Sequence, residues 1–203
     1  MSRAWIPAAI IAGYLCAPAA AGPNEKPSDL VEVTTVIPDA VLEMHYATDD
    51  NFTGKAVYPV AHCKLRRSVA ARLAKAAATL RKKDRRLLIW DCYRPKSIQE
   101  VFWKLVPDER YVADPKKGSR HSRGAAVDVA LVDKDGKPVM LPTKFDDFSE
   151  AAHRTKALKG DAGAEARTLE AAMKKAGFVG MPTEWWHFDA PDAAKFPLSD
   201  EAL

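Results

Sequence analysis

The chain has 203 residues, of which 47% are hydrophobic and 29% are charged. This length suits one ordinary domain with its own core, and the composition is that of a soluble globular protein. The formal net charge is +4 at pH 7, but basic and acidic residues are interspersed, which excludes a nucleic-acid-binding footprint.

Residues 1–21 have the pattern of a secretory signal peptide. Arg3 supplies the positive charge, residues 4–16 form an apolar stretch, and a run of small residues follows where signal peptidase would cut. We therefore expect export, with residues 22–203 as the mature domain and the bacterial periplasm as its location.

Two other interpretations of the leader are a membrane anchor and a lipoprotein signal. Pro7 and Gly13 interrupt an apolar stretch of only about a dozen residues, against roughly twenty needed to span a bilayer. A lipid on Cys16 is disfavoured because Leu15 stands where a lipoprotein signal has a small residue. Cleavage, with no membrane span left in the mature chain, is the preferred interpretation.

Hydrophobic periodicity predicts an irregular alternation of strands and helices along one domain. Strands are expected over 30–37, 85–93, 124–133 and 183–190, and helices over 68–83, 97–106 and 164–178. Ser68 is expected to cap the first helix, Gly136 to turn the chain out of the third strand, and Gly177 to end the last helix. Because no regular βαβ repeat appears, we predict an α+β fold with helices packed on a mainly antiparallel sheet.

Export changes the interpretation of the cysteines. Cys16 leaves with the leader, so the mature chain keeps Cys63 and Cys92. In an oxidising compartment such a pair is often a disulfide, and this is the prediction here; two buried free thiols are the alternative.

Two polar residues stand next to or inside the predicted strand 124–133. His121 lies in a glycine-flanked loop, and Asp128 lies between two valines, where an aspartate needs a metal, a cation or several hydrogen bonds. An odd separation of seven would point the two side chains to opposite faces of a continuous strand, unless a turn at Gly124 folds His121 back.

The segment "TEWWHFDA", residues 183–190, adds Glu184 and His187 beside two tryptophans. Two histidines and one aspartate form a ligand set that suits catalytic Zn²⁺ with one open position, so we expect one zinc per chain held by His121, Asp128 and His187. Glu184 could then take a proton from the attacking water and pass it to the leaving amine. A Glu-x-x-His spacing also recurs by chance, and three further histidines remain candidate ligands: His45, His62 and His153.

An arginine emerges at the end of the predicted strand 85–93. Arg94 is followed by Pro95 and is placed to meet an anion or a polarised carbonyl. A surface salt bridge to Asp91 is an equally good interpretation from the sequence alone.

Several of these stretches resemble the zinc D-alanyl-D-alanine dipeptidases. The segment "SRHSRGAAVD" is similar to their S-x-H-x-x-G-x-A-x-D signature, and "EWWH" is similar to their E-x-W-H motif. The stretches "YATDDNFTG", "DCYRP" and "PTKFDDFSEAAH" also look like blocks of this family, so the resemblance covers roughly residues 30–190. The wider group includes D,D-carboxypeptidases and the hedgehog signalling domain, which share an α+β fold with a central antiparallel sheet.

The resemblance implies a role for eight residues. It makes His121, Asp128 and His187 the zinc ligands, Glu184 the catalytic acid and base, and Arg94 the group that stabilises the oxyanion. It also implies that the pocket for a small dipeptide substrate is lined by Tyr46, Ser119 and Asp146. Because Asp147 is adjacent, the resemblance does not decide which of the two aspartates occupies the pocket position.

The implied activity is zinc-dependent hydrolysis of D-Ala-D-Ala to two D-alanines, linked to peptidoglycan turnover in the cell envelope. One alternative is a D,D-carboxypeptidase that trims peptidoglycan stem peptides with the same site. Another is a non-catalytic, zinc-bearing peptidoglycan-binding module, which would have no need of a general base at Glu184. The sequence does not determine the oligomeric state.

Overall fold

Seven strands and five α-helices make up residues 26–203, the part of the chain that the computed structural model describes. The strands are β1 (Leu30–Glu32), β2 (Val41–Leu42), β3 (Lys64–Arg66), β4 (Arg85–Asp91), β5 (Ala126–Asp133), β6 (Val179–Gly180) and β7 (His187–Asp189). The helices are α1 (Val33–Val36), α2 (Arg67–Arg81), α3 (Lys96–Leu105), α4 (Arg154–Ala157) and α5 (Ala164–Lys175). The predicted signal peptide, residues 1–21, lies outside the described residues.

The main sheet has five strands in the order β2-β4-β5-β7-β6. Its pairs are antiparallel except for β2 with β4, and β1 and β3 form a separate antiparallel ribbon. Helices α2 and α5 pack against each other and against β4 and β5. The predicted α+β class, with a mainly antiparallel sheet flanked by helices in one domain, is confirmed. Within residues 26–203, no helix combines the length and apolarity needed to cross a membrane.

Helix α2 forms as its apolar spacing predicts, but it begins differently. Its buried face repeats at three- and four-residue steps: Val69, Ala70, Leu73, Ala76, Ala77 and Leu80. The prediction that Ser68 caps this helix is wrong, because Arg66 occupies the N-cap position and makes no side-chain cap. The Arg66 guanidinium instead donates to the carbonyls of Ser28, Arg123 and Pro197, which ties the helix start to distant loops.

Two predicted strands are shorter than expected. The strand predicted over 30–37 stops at Glu32, because Val33 begins the one-turn helix α1 and buries its side chain there. In the segment predicted as the last strand, regular pairing covers only His187–Asp189. Strands β2, β3 and β6 were not predicted, because two or three residues are too few to carry a periodicity.

The remaining predictions of helices and strands agree with the structure. Strand β4 is buried over most of its length, and α3 and α5 lie within one to three residues of their predicted ends. Gly136 and Gly177 both have positive φ, of 82° and 88°, as the turns at these positions require. Cys63 and Cys92 are joined by a disulfide with a Cα–Cα distance of 5.3 Å.

Strand β5 presents two different faces because side chains alternate along it. Around Asp128 the bulky residues share one face and the small residues share the other: Val127, Val129 and Leu131 against Ala126 and Ala130. Asp128 therefore lies among small side chains, which leave room above it for groups from the loops.

The turn before β5 depends on Gly124. Its φ is 65°, in the left-handed region, and a Cβ at this position would lie 2.6 Å from Leu30 Cδ2. The left-handed backbone therefore favours a glycine here, and any larger residue would also force the Leu30 side chain to shift.

We expect Gly124→Ala to destabilise the protein through both effects. The left-handed conformation costs an alanine ~1–2 kcal/mol, and the contact with Leu30 adds ~1–3 kcal/mol of overpacking. Gly54→Ala is the matched control, because Gly54 also has a φ of 65° but has no atom within 4 Å of its would-be Cβ. Urea unfolding would measure both variants, and equal losses of stability would contradict the role of Leu30.

Candidate active site

Three acidic or basic residues form a row across three neighbouring strands of the main sheet. Asp91 on β4 pairs with Asp128 on β5, and Asp128 pairs with His187 on β7. Directly opposed residues of antiparallel strands project to the same face of a sheet. The register therefore collects three polar side chains on one face, and all three are buried.

A β-bulge in β4 turns Asp91 toward this face. Ile89 pairs with Val129, but the next pair joins Asp91 to Asp128, so two residues of β4 oppose one residue of β5. Without the extra residue, Trp90 would stand opposite Asp128 and Asp91 would point to the other face. The bulge is thus what brings Asp91 into the row.

His121 reaches the same point from a one-turn 3₁₀ helix, His121–Arg123, that ends at Gly124. Its Nδ1 lies 2.6 Å from the carbonyl oxygen of Cys92 and must donate the hydrogen bond, because a carbonyl only accepts. Its Nε2 consequently presents a lone pair or a second proton toward Asp128 and His187. The predicted fold-back of His121 through the turn at Gly124 is what the structure has.

Ligand atoms of three residues converge at a spacing that suits a tetrahedral metal site. His121 Nε2 lies 3.2 Å from His187 Nδ1 and 3.4 Å from Asp128 Oδ2, and His187 Nδ1 lies 3.0 Å from Asp128 Oδ1. Tetrahedral zinc with bonds of ~2.0–2.1 Å separates its ligand atoms by roughly 3.3–3.4 Å. Among residues 26–203, this trio forms the group of potential ligands that could hold a metal ion.

The chemistry of the trio also calls for a positive charge at its centre. In each histidine, the ring nitrogen that points away from the trio contacts an oxygen: His187 Nε2 lies 2.9 Å from Asp189 Oδ1, and His121 Nδ1 bonds the Cys92 carbonyl. The other ring nitrogen of each, the inner one, faces the carboxylate of Asp128. Burial lowers the pKa of His187, but the carboxylates of Asp128 and Asp189 outweigh it and raise that pKa to about 10. A proton or a metal ion supplies this charge, and a metal in addition satisfies all three inner atoms.

Glu184 lies beside the trio without joining it. Its Oε2 is 3.8 Å from His187 Nδ1, and only 7% of the residue is exposed. Burial raises the pKa of Glu184 to about 8; the nearby His187 opposes the shift, while Asp128 adds to it. A carboxyl group with a pKa near neutrality can both accept and return a proton.

The two tryptophans of this segment are packed against other rings. Trp185 and Trp186 are each 1% exposed, and both make edge contacts with Trp90. The indole nitrogen of Trp185 donates to the hydroxyl of Thr143, which satisfies its one polar group. Trp186 also lines the cavity beside Glu184 and His187, so it gives that part of the wall an apolar surface.

Arg94 is both an ion-pair partner and a lining residue of the cavity. Its Nε and Nη2 donate to Asp91 Oδ2 at 3.1 and 2.6 Å, and its Nη1 donates to Gln99 Oε1 at 2.8 Å. Its guanidinium carbon lies 4.5 Å from the centre of the Phe102 ring. The alternative of a salt bridge to Asp91 is therefore realised, but the pair is buried rather than on the surface.

These groups line one cavity of about 280 Å³. This volume is just below the range for ligand pockets, roughly 300–1,000 Å³. The three pocket residues implied by the resemblance all line the cavity: Tyr46, Ser119 and Asp146. Asp147 does not line the cavity and instead accepts a hydrogen bond from Ser149 N, so Asp146 is the aspartate that faces it.

Asp146 is held in a conformation that turns its carboxylate inward. Its φ is 55°, and its two oxygens accept hydrogen bonds from the Tyr46 hydroxyl at 2.9 Å and from Phe52 N at 3.2 Å. Desolvation raises the pKa of Asp146 to about 6, although these hydrogen bonds lower it. A carboxylate with this environment gains stability from a cationic partner in the cavity.

Three supporting residues were missed or undervalued from the sequence. Asp189 stands two positions after His187, on the same face of an extended segment, and this spacing was a usable signal. Asp91 was considered only as a salt-bridge partner of Arg94. Nothing in the sequence indicated a role for Gln99, because its contact with Arg94 arises from the position of α3 after Pro95. The other three candidate ligands lie elsewhere: His45 Nδ1 donates to the carbonyl oxygen of Asp50, His62 pairs with Glu32, and His153 is the residue that precedes α4.

Comparison with known proteins gives consistent matches over most of the chain. A family model of peptidases M15, described as D-ala-D-ala dipeptidase, matches residues 26–202. A D-alanyl-D-alanine dipeptidase of Escherichia coli K12 is 39% identical over 172 residues, which are 84% of this chain and 89% of the relative. One of Enterococcus faecalis V583 is 35% identical over 171 residues, 72% of this chain and 84% of the relative.

Zinc content should depend on the trio and not on Glu184. We expect His121→Ala, Asp128→Ala and His187→Ala to lower bound zinc from about one ion per chain to near zero, and Asp189→Asn to weaken zinc binding by about 10–100-fold. Glu184→Gln is the matched control and should keep its zinc. Metal analysis after gel filtration would measure all five, and full zinc in the three alanine variants would refute the site.

Proposed function

The chain belongs to the D-Ala-D-Ala dipeptidase family of metallopeptidases, and from that premise we propose that it hydrolyses D-alanyl-D-alanine to two D-alanines with one zinc ion. The observation that carries the proposal is the convergence of His121, Asp128 and His187 at metal-ligand spacing, on the wall of a small cavity that also contains Glu184 and Arg94. Two imidazoles and a carboxylate with one open position are a ligand set typical of catalytic zinc.

Zinc at this position would act as a Lewis acid that activates water and polarises the scissile carbonyl. Glu184 takes the proton of the attacking water and delivers it to the leaving amine. Its buried carboxylate lies next to His187, and its raised pKa allows it to hold the proton between the two steps. The aromatic wall around it limits competition from bulk water.

Arg94 stabilises the negative charge that develops on the carbonyl oxygen. A guanidinium has five N–H groups, and three of those of Arg94 are used in bonds to Asp91 and Gln99. Arg94 also lines the cavity in which the carbonyl oxygen would lie. Because Asp91 and Gln99 fix the orientation of the guanidinium before substrate arrives, little reorganisation is needed when charge develops.

Asp146 favours a free dipeptide over a longer peptide. Its carboxylate faces the cavity and suits the α-ammonium group that a free dipeptide carries, whereas the same nitrogen of a stem peptide is an uncharged amide. Ser119 Oγ accepts a hydrogen bond from His121 N, so its hydroxyl proton is free to donate to the substrate carboxylate. This arrangement supports a dipeptidase rather than a D,D-carboxypeptidase, and Glu184 disfavours a pure binding module.

We predict that Asp146→Asn raises KM for D-Ala-D-Ala by about 10–100-fold, the value of a lost charge-assisted hydrogen bond. Asparagine tolerates the left-handed backbone of this position, so the change affects mainly the charge. Asp147→Asn is the matched control and should leave KM unchanged. Steady-state kinetics would test both variants with D-Ala-D-Ala and with its N-acetyl derivative. Equal turnover of the two substrates by the unmodified enzyme would favour the carboxypeptidase.

For Glu184→Gln we expect kcat to fall by at least ~10²-fold, as for the loss of a general acid and base. The amide keeps the size of the side chain but cannot accept the proton, so KM and zinc content should change little. Release of D-alanine would be followed with a coupled D-amino-acid oxidase assay. A variant with near-normal kcat would remove Glu184 from the mechanism.

We further propose that the protein is exported to the periplasm and acts in peptidoglycan turnover. Residues 1–21 have the pattern of a signal peptide, and the Cys63–Cys92 disulfide is of a kind that persists in oxidising compartments. An exported enzyme would meet D-Ala-D-Ala released in the cell envelope.

Fractionation of bacteria that express the full chain would test export. We expect the protein in the periplasmic fraction, with a mass that lacks residues 1–21 and with no titratable thiol after unfolding. A chain expressed from residue 22 is the control and should stay in the cytoplasm. A full-length product in the cytoplasmic fraction would refute the proposal.

A further inference from the structure

The backbone of Cys92 orients a candidate metal ligand. The carbonyl oxygen of Cys92 lies 2.6 Å from His121 Nδ1, and this bond sets which nitrogen of the ring faces Asp128. Hydrogen bonds to the outer nitrogen of a ligating histidine fix its tautomer and its ring orientation. A displacement of the Cys92 carbonyl would therefore move His121 Nε2 away from the other two ligand atoms.

The same short segment also supports Arg94. Cys92 N donates to Asp91 Oδ1 at 2.8 Å, and Asp91 Oδ2 accepts two hydrogen bonds from the Arg94 side chain. The backbone nitrogen of Arg94 in turn donates to His121 O at 3.2 Å. Residues 91–94, the 91–94 segment, thus contact His121 and also fix the side chain of Arg94.

The main sheet alone does not fix the position of the 91–94 segment. The β4 ladder ends at Asp91 after the bulge, so Cys92 has no strand partner in the main sheet. What holds Cys92 is its disulfide to Cys63, next to the small β1–β3 ribbon, together with the hydrogen bond from Tyr93 N to Lys64 O at 2.9 Å. Both cysteines are fully buried.

We propose that the Cys63–Cys92 disulfide is a positioning element of the active site, which holds the Cys92 carbonyl where it orients His121 and keeps Asp91 aligned with Arg94. This inference rests on the proposed zinc-dependent function. It gives the bond a role in metal binding and turnover that is separate from its contribution to global stability. A chain with both thiols reduced should hold zinc less tightly than the oxidised chain.

The test is the zinc affinity of Cys63→Ala, measured by competition with a chromophoric chelator on the mature chain. Cys63 does not line the cavity, and the change removes the covalent bond without substituting Cys92, the residue whose carbonyl bonds His121. We expect the affinity to fall by about 10–100-fold, the usual loss when the support of a ligand is removed. We also expect kcat to fall while KM changes little, since Arg94 acts on charge that develops in the transition state.

Leu80→Ala is the matched control, because Leu80 is fully buried in α2 and lies away from the cavity. This variant loses core packing and should keep the zinc affinity of the unmodified chain. The proposal is overturned if Cys63→Ala binds zinc as tightly as the unmodified chain, or if Leu80→Ala loses as much affinity.

A second variant separates the covalent bond from the packing of the two side chains. Cys63→Val/Cys92→Ala fills the space with apolar atoms but cannot form the bond, and it should show the same loss of zinc affinity. If neither cysteine variant folds, the bond is a requirement of the whole fold and the positioning role is rejected. If the unmodified chain itself binds no zinc and releases no D-alanine, the proposed function fails instead, so the two failures are distinguishable.

Discussion

The register of three antiparallel strands is the constraint on which the rest of this structure depends. Asp91, Asp128 and His187 stand opposite one another across β4, β5 and β7. Because side chains alternate between the faces of a sheet, a slip of one residue in either pairing would send one of them to the other face. Strand pairing therefore brings together Asp128 and His187, two of the three candidate metal ligands, and the 3₁₀ helix before Gly124 brings the third, His121, to the same point.

Asp91 connects this row to its surroundings. It is fully buried, it accepts hydrogen bonds from the Tyr58 hydroxyl and from Cys92 N, and it pairs with the Arg94 guanidinium. A buried ion pair contributes little net stability, because desolvation of both charges offsets their attraction. The pair instead fixes the orientation of the Arg94 guanidinium, which is held at the cavity wall by contacts that do not depend on substrate.

The cavity combines three kinds of surface within about 280 Å³. The histidine and carboxylate trio lies near Glu184, Asp146 faces the cavity from a separate loop, and aromatic rings occupy much of the remaining wall. Charges interact more strongly where rings exclude water than they do at an open surface. A cavity of this size, with ionisable groups of both signs on its wall, supports the proposal of a small substrate that carries both a positive and a negative terminus.

The sequence by itself determined the longer elements and the chemically distinctive residues, because α2, β4, β5 and α5 carry enough periodic positions to be recognised locally and because few residue types can bind a metal. The sequence also indicated that His121 and His187 converge with Asp128, but only the tertiary structure decided how their segments meet, that Asp146 rather than Asp147 faces the cavity, and that Asp91 joins the row. These outcomes depend on a bulge, on a left-handed turn at Gly124 and on the pairing of residues as far apart as 128 and 187. No local pattern encodes such contacts, since they arise when distant segments close on one another.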